Sequence, residues 1–312
     1  MSTRSATILD PTDGREVPVA RPLHVWRWVA GIVVVGIVAW LVKEIVFNPH
    51  LDWSIVGDYL FDHRIIDGIW VTIEISILAT ILGLVLGVVL AVMKLAHNPV
   101  LRWVATGYIG FFRGTPLLVQ LIFWYNLAFL FPNLILKIPF TETGVYWDTN
   151  AVMTGFTAAM LGLGLNLAAY FAETVRAGIQ AVDTGQSEAA YALGMTPAKR
   201  MRIIVLPQAL RIIIPPTGNE FISMLKTTSL VYVVAGHDLM TAASQIYKEN
   251  NQIIELLIVA SIWYMVLTAI ATFLQSRLER RYGSDAVRLV RKNTVADRFL
   301  RKQSAAAEGV AA

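Results

Sequence analysis

Runs of apolar residues long enough to cross a bilayer constrain this chain more than any other feature. One of them, Trp28-Val-Ala-Gly-Ile-Val-Val-Val-Gly-Ile-Val-Ala-Trp40, lies near the N-terminus, and several more follow. A helix needs about 20 apolar residues to span the hydrocarbon core. Inside lipid each backbone polar group must be satisfied within its own segment, which favours helices. Only 15% of the 312 residues are charged, against about 25% in soluble domains, and the mean hydropathy is +0.58. The pattern predicts an all-α polytopic membrane protein with about six transmembrane helices, near residues 24–47, 67–93, 103–131, 151–179, 213–234 and 253–274.

Lys and Arg cluster beside three segments: the Lys94–Arg102 loop, the 180–212 loop and the C-terminal tail. That tail carries Arg277, Arg280, Arg281, Arg288, Arg291, Lys292, Arg298, Arg301 and Lys302. The connectors 48–66, 132–151 and 236–252 hold at least as much acidic as basic charge. Positive-inside bias therefore places both termini in the cytoplasm. The net charge of +4 is read as an orientation signal, and no recognisable nucleic-acid motif competes with it. Residues 1–22 read as a disordered cytoplasmic tail, too long and too acidic for the n-region of a cleaved signal peptide. Residues 23–47 form an N-terminal span, and 284–312 a basic cytoplasmic tail. With no cysteine, disulfides and thiolate chemistry are excluded. His24, His50, His63, His97 and His237 form no ligand pair at helical spacing, which argues against a metal site.

Ionisable residues inside the spans are costly and must face protein or water. Glu74 lies about two turns into its span. Arg113 lies about 15 Å into the third span at 1.5 Å per residue, and Gly114 and Pro116 weaken the helix around Thr115. Arg113-Gly114-Thr115-Pro116 is either a break lining a pathway or a structural kink whose arginine pairs with a carboxylate on another helix. Glu173 and Arg176 neighbour each other on one helix face. Glu173 forms either a local ion pair or a cavity carboxylate for a substrate's amino group. Gly83-x-x-x-Gly87 allows close helix packing, within the subunit or at a dimer contact.

Between the fourth and fifth spans stands a polar island, Glu188-Ala-Ala-Tyr-Ala-Leu-Gly194 followed by Met195 to Pro207. Ser187 is expected to cap a first helix, with Glu188 in its first turn. Gly194 stands where a left-handed cap is wanted, and Thr196-Pro197 restarts a second helix. Pro207 ends or kinks that helix, and the span beginning Ile213-Ile-Pro-Pro216 is expected to start irregularly. Ala189, Ala190 and Leu193 form a shallow apolar face suited to docking in a groove. An ordinary cytoplasmic loop is the plainer alternative.

The order Glu188, Ala189, Ala190, Gly194, Ile204, Leu206, Pro207 resembles the EAA loop of ABC-importer permeases, without departure. The stretches Phe112–Gln120, Ala169–Ile179 and Gly218–Leu230 resemble the polar-amino-acid branch, the histidine/glutamine type, and the resemblance covers about residues 67–283. It implies a five-helix importer core with its coupling loop at about 183–208, to which the N-terminal helix is an addition. It also implies a bacterial inner-membrane location and a polar amino acid as substrate. Two separate ATPase subunits carrying ATP and Mg, a second permease subunit and an extracytoplasmic amino-acid-binding protein complete the expected assembly. Glu188, Ala189, Ala190, Leu193, Gly194, Leu206 and Pro207 would couple to the ATPases. Arg113, Gly114, Thr115, Pro116, Glu173 and Glu74 are the candidate pathway residues. No Walker sequence (Gly-x-x-x-x-Gly-Lys-Ser/Thr) occurs, so no P-loop in this chain would hold a nucleotide and no cofactor is expected on it. A channel or scaffold and a membrane-embedded enzyme are the competing classes. No Ser/His/Asp set or metal cluster supports an enzyme.

Overall fold

The computed structural model describes residues 7–9, 16–18, 25–137 and 144–282. The chain divides into two compact units, Met1–Asp52 and Trp53–Ala312. The first unit holds the antiparallel strands β1 (Thr7–Leu9) and β2 (Glu16–Pro18), paired from Thr7↔Pro18 to Leu9↔Glu16, and helix α1 (Val25–Val46). The strand pair corrects part of the expected disordered tail: Thr7-Ile-Leu and Val17 are strand formers. The rest of that tail, and the basic tail 284–312, lie outside the described residues.

The second unit opens with α2 (Trp53–Leu60) and α3 (His63–Leu95). Next come α4 (Pro99–Gly114) and α5 (Leu117–Tyr125), which divide the expected third span in two. An antiparallel hairpin, β3 (Asn133–Lys137) and β4 (Gly144–Asp148), occupies the connector read from sequence as a plain loop. Short α6 (Thr149–Val152) leads to α7 (Gly155–Gln180). The expected coupling loop comprises α8 (Thr184–Ala192), α9 (Pro197–Arg200) and a π turn, Met201–Val205. Then follow α10 (Leu206–Thr227), a 3-10 segment (Thr228–Val234), α11 (Leu239–Asn250) and α12 (Ile253–Tyr282). Among the described residues, four helices are long and apolar enough to cross a membrane: Trp26–Val46, His63–Leu95, Gly155–Gln180 and Ile253–Arg280. The other two expected spans are each assembled from two pieces.

Helices α3 and α7 form the centre of the second unit. A methyl group added at Gly87 would lie 2.6 Å from Phe171 Cβ, and one at Gly83 would lie 3.0 Å from Leu167 Cβ. The Gly83-x-x-x-Gly87 face is thus occupied within the subunit by α7. Around this seam Ile75, Ala79, Leu163, Leu167 and Phe171 are buried together with Met224 and Val231.

The outer connector 235–252 contains a well-anchored helix. Asp238, with no exposed surface, caps α11 by accepting from the backbone N–H groups of Met240 (3.0 Å) and Thr241 (3.3 Å), and from the Thr241 hydroxyl. Burial pushes its carboxyl above the usual range, against these donors. Thr72 on α3 accepts from Leu239 N at 3.0 Å, tying α11 to the central pair.

Two proline expectations are corrected. Pro207 does not end the second helix: it falls at the first turn of α10, where a missing N–H is harmless. Pro215 and Pro216 lie inside α10, whose start is regular. Neighbouring side chains stabilise this region, with Thr217 Oγ1 donating to Ile213 O at 2.8 Å and Gln275 Nε2 to Pro215 O at 3.1 Å.

Candidate functional site

The break between α4 and α5 is built by Thr115 and Pro116, both extended (φ −110, ψ 142 and φ −63, ψ 132). Proline cannot donate, so the carbonyls of the last α4 turn lose their helical partners. Buried amide side chains take over. Gln120 Nε2 lies 3.1 Å from Phe112 O, 3.2 Å from Thr115 O and 2.7 Å from Thr115 Oγ1. Asn166 Nδ2 on α7 donates to Phe112 O at 2.9 Å and to Gln120 Oε1 at 3.1 Å.

Beside this break is a cavity of about 390 Å³. Thr115 and Pro116 from the break, Asn166 and Tyr170 from α7, and Glu220 and Ser223 from α10 are among its lining residues. The half-buried Glu220 carboxylate is its acidic group. Arg113 reaches the rim, its Cζ 5.2 Å from the centroid of the Tyr170 ring, within range of a cation–π contact. Opposite charges therefore flank a polar cavity in the helical bundle. A second cavity, about 450 Å³, lies among Tyr125, Phe129, Asn150 and Thr154, and its lining contains no carboxylate or cation.

The expected pathway residues separate. Thr115 and Pro116 line the cavity, Arg113 stacks on one wall and Gly114 closes α4 next to it. Glu173 is elsewhere: it takes an ion pair from Lys94 and another from Arg176 Nη2 at 2.8 Å. Of the two readings open in the sequence, the structure shows the local ion pair. Glu74 is exposed on α3 and is not among the cavity's lining residues. Replacing Glu173 by Gln leaves two half-buried cations short of their shared anion. The Glu173→Gln protein should melt several degrees lower in a detergent thermal-shift measurement, with the cavity beside the α4–α5 break unaffected. Gln120 and Glu220 were not picked out from the sequence. The signal for Gln120 was a polar residue in the apolar run Leu117–Tyr125; for Glu220 it was an acidic residue in a span.

The 183–208 loop has the expected helix–turn–helix form with a different cap. Asp183 caps α8 by accepting from Gly185 N at 2.7 Å, so Ser187 and Glu188 fall in the helix interior. Asp183 takes the cap because it precedes the first turn and presents a carboxylate to the free N–H groups. At the other end, Met195 N donates to Ala190 O (3.1 Å) and Gly194 N to Tyr191 O (2.9 Å). This is a Schellman closure, with Gly194 at φ +72. Ala190 is buried by the chain's own fold, at 1% exposure, and leaves the docking face. Leu193 (82%) and Tyr191 (75%) are the large apolar side chains exposed there, with Glu188 and Ala189 also exposed. Leu206 and Pro207 open α10 beyond the π turn.

A bundle of apolar helices, broken around an internal polar cavity and bearing a helix–Gly–helix projection, defines a membrane transport subunit. Residues 83–284 match the family described as binding-protein-dependent transport system inner membrane component. An arginine transport system permease protein of Corynebacterium glutamicum is 43% identical over 272 residues, covering 86% of this chain and 84% of the relative. A probable glutamine ABC transporter permease protein of Bacillus subtilis is 36% identical, over 72% of this chain and 98% of the relative. The crystal structure of an amino acid ABC transporter with histidines superposes with a TM-score of 0.64 at 38% identity. It covers 74% of this chain and 99% of that chain. The chain belongs to the family of binding-protein-dependent transport system inner membrane components. It is a multi-pass inner-membrane permease subunit of the ABC type.

Proposed function

We propose that the chain forms the translocation pathway of a binding-protein-dependent importer of polar amino acids. The observation that carries this reading is the cavity flanked by Glu220 and Arg113. A polar amino acid with a cationic end has complementary charges: Glu220 receives that cationic end and Arg113 the carboxylate. Asn166, Tyr170, Thr115 and Ser223 supply the remaining polar surface. The names of the relatives, arginine and glutamine permeases, support an amino-acid cargo.

The chain works with a second permease subunit, two cytoplasmic ATPases that hold ATP and Mg, and an extracytoplasmic amino-acid-binding protein. All six spans are used, with both termini cytoplasmic and α1 outside the family core. ATP closes the ATPases, the motion passes through α8, and the bundle opens outward to receive the amino acid. Hydrolysis then resets the inward state. Such coupling requires the loop to bind the two ATPase states with different affinity.

The deciding experiment is to co-express the chain with its genomic neighbours, purify it gently and reconstitute it for uptake. An ATPase at one per permease subunit and ATP-dependent amino-acid uptake are the expected result. A chain that elutes with no nucleotide-binding partner while retaining flux makes it a channel. Leu193→Asp should lower the recovered ATPase tenfold or more, because burying a leucine contributes about 1.5–3 kcal/mol. Glu188→Ala should weaken the same association less.

A further inference from the structure

We infer that Gln120 is a positioning residue for the cavity: it holds the Asn166 amide so that its oxygen, beside Glu220, is what a ligand meets, which selects a donor-rich cationic end. This rests on the reading of the cavity as the substrate site. Phe112 O lacks the donor that residue 116 would supply in a continuous helix, since Pro116 has no N–H. Thr115 O loses its helical donor as well, because Val119 N donates to Pro116 O at 3.1 Å. Of the two ends of an amide side chain only the NH2 can meet a carbonyl, and this fixes which way both amides face. Gln120 Nε2 takes Thr115 O and shares Phe112 O; its Oε1 then accepts from Asn166 Nδ2 at 3.1 Å. Asn166 Nδ2 is thereby committed twice, to Phe112 O and to Gln120.

Asn166 itself lines the cavity with Glu220, whereas Gln120 is 5% exposed and absent from the lining. What Asn166 retains for a ligand is Oδ1, an acceptor. Glu220 is an acceptor too, and so is Thr115 Oγ1, whose own proton goes to Phe111 O at 2.8 Å. An ammonium or guanidinium group, all donors, satisfies such a set. A carboxamide brings an acceptor of its own and leaves part of the set unmet. Without Gln120 the Asn166 amide keeps only one of its two anchors, Phe112 O, and its oxygen is held less firmly towards the cavity.

The test uses the purified permease–ATPase complex without binding protein, with radiolabelled arginine and glutamine in equilibrium dialysis. Gln120→Met keeps the shape and removes both hydrogen-bonding groups. It should weaken arginine binding about tenfold and glutamine binding less than threefold, narrowing the preference. An unchanged arginine-to-glutamine ratio in a folded Gln120→Met complex overturns the inference. If the wild-type complex binds neither probe, the cavity reading itself fails, and the inference with it. Should the Met variant not fold, Gln120→Glu decides. A buried carboxyl donates only when protonated, so its arginine binding, taken relative to wild type, should recover between pH 8 and pH 5. A flat ratio overturns the positioning role, since a change in packing alone has no proton to gain.

Discussion

Glu220→Gln is expected to lower amino-acid uptake at least tenfold while leaving ATPase association intact. Glu220 lies half-buried in the cavity wall formed by α10. A carboxylate at that depth is costly and persists where it has a task or a partner. Arg113 stacks on Tyr170, another residue of the cavity wall. With Gln at position 220, the cationic end of the substrate loses its charged partner, and Arg113 is left as an uncompensated cation that repels it. One charge-assisted hydrogen bond is worth roughly 1.5–3 kcal/mol, or about 10- to 150-fold in affinity. Proteoliposome uptake of radiolabelled arginine, beside the basal ATPase rate, reads the effect. Wild-type uptake in this variant would remove Glu220 from the site. Loss of ATPase association would instead point to damaged folding.

Gly87→Leu should abolish the folded subunit. The added Cβ would stand 2.6 Å from Phe171 Cβ and 3.1 Å from Ala168 O. Phe171 is fully buried and has no empty volume to move into. Overpacking of one position costs about 1–3 kcal/mol where the core can shift. Here the obstacle includes backbone on the facing helix, so α3 and α7 must move apart along the seam on which the second unit is built. The expected observation is no monodisperse peak in detergent size-exclusion chromatography. Gly107→Leu, at a position with nothing within 4 Å, should give a normal peak. If both variants behave alike, the seam does not hold the fold.

The features legible in the sequence were those written in local chemistry. Span lengths, the break at Gly114–Pro116 and the Gly194 turn each follow from residues close together in the chain. So does the apolar Leu193 on the docking helix. The errors came where two local candidates competed or a distant residue decided. Ser187 and Asp183 are both good cap residues, and the choice depends on where α7 ends. Ala190 is buried although its position on the helical projection is open, because a projection does not show α9 and the π turn packing against α8. Glu173 and Glu220 are both carboxylates within spans. Lys94, far away in sequence, reaches the first and neutralises it; α10 brings the second to the break. Pro215-Pro216 reads as an irregular helix start because the support from Gln275 on α12 comes from tertiary structure. The role of Gln120 likewise requires knowing which carbonyls the break sets free.

From Pro197 to Thr227 the chain runs as one rod: α9, the π turn and α10 in series. At 1.5 Å per residue its tip and Glu220 are about 35 Å apart. A tilt of about 5° over that lever moves one end by about 3 Å relative to the other, roughly the width of a water molecule. Gln275, bonded to Pro215 O and Asn219 Oδ1, stiffens the rod where its paired prolines would let it flex. A displacement of the Pro197 end is therefore transmitted along the shaft, and the carboxylate in the cavity wall shifts with it.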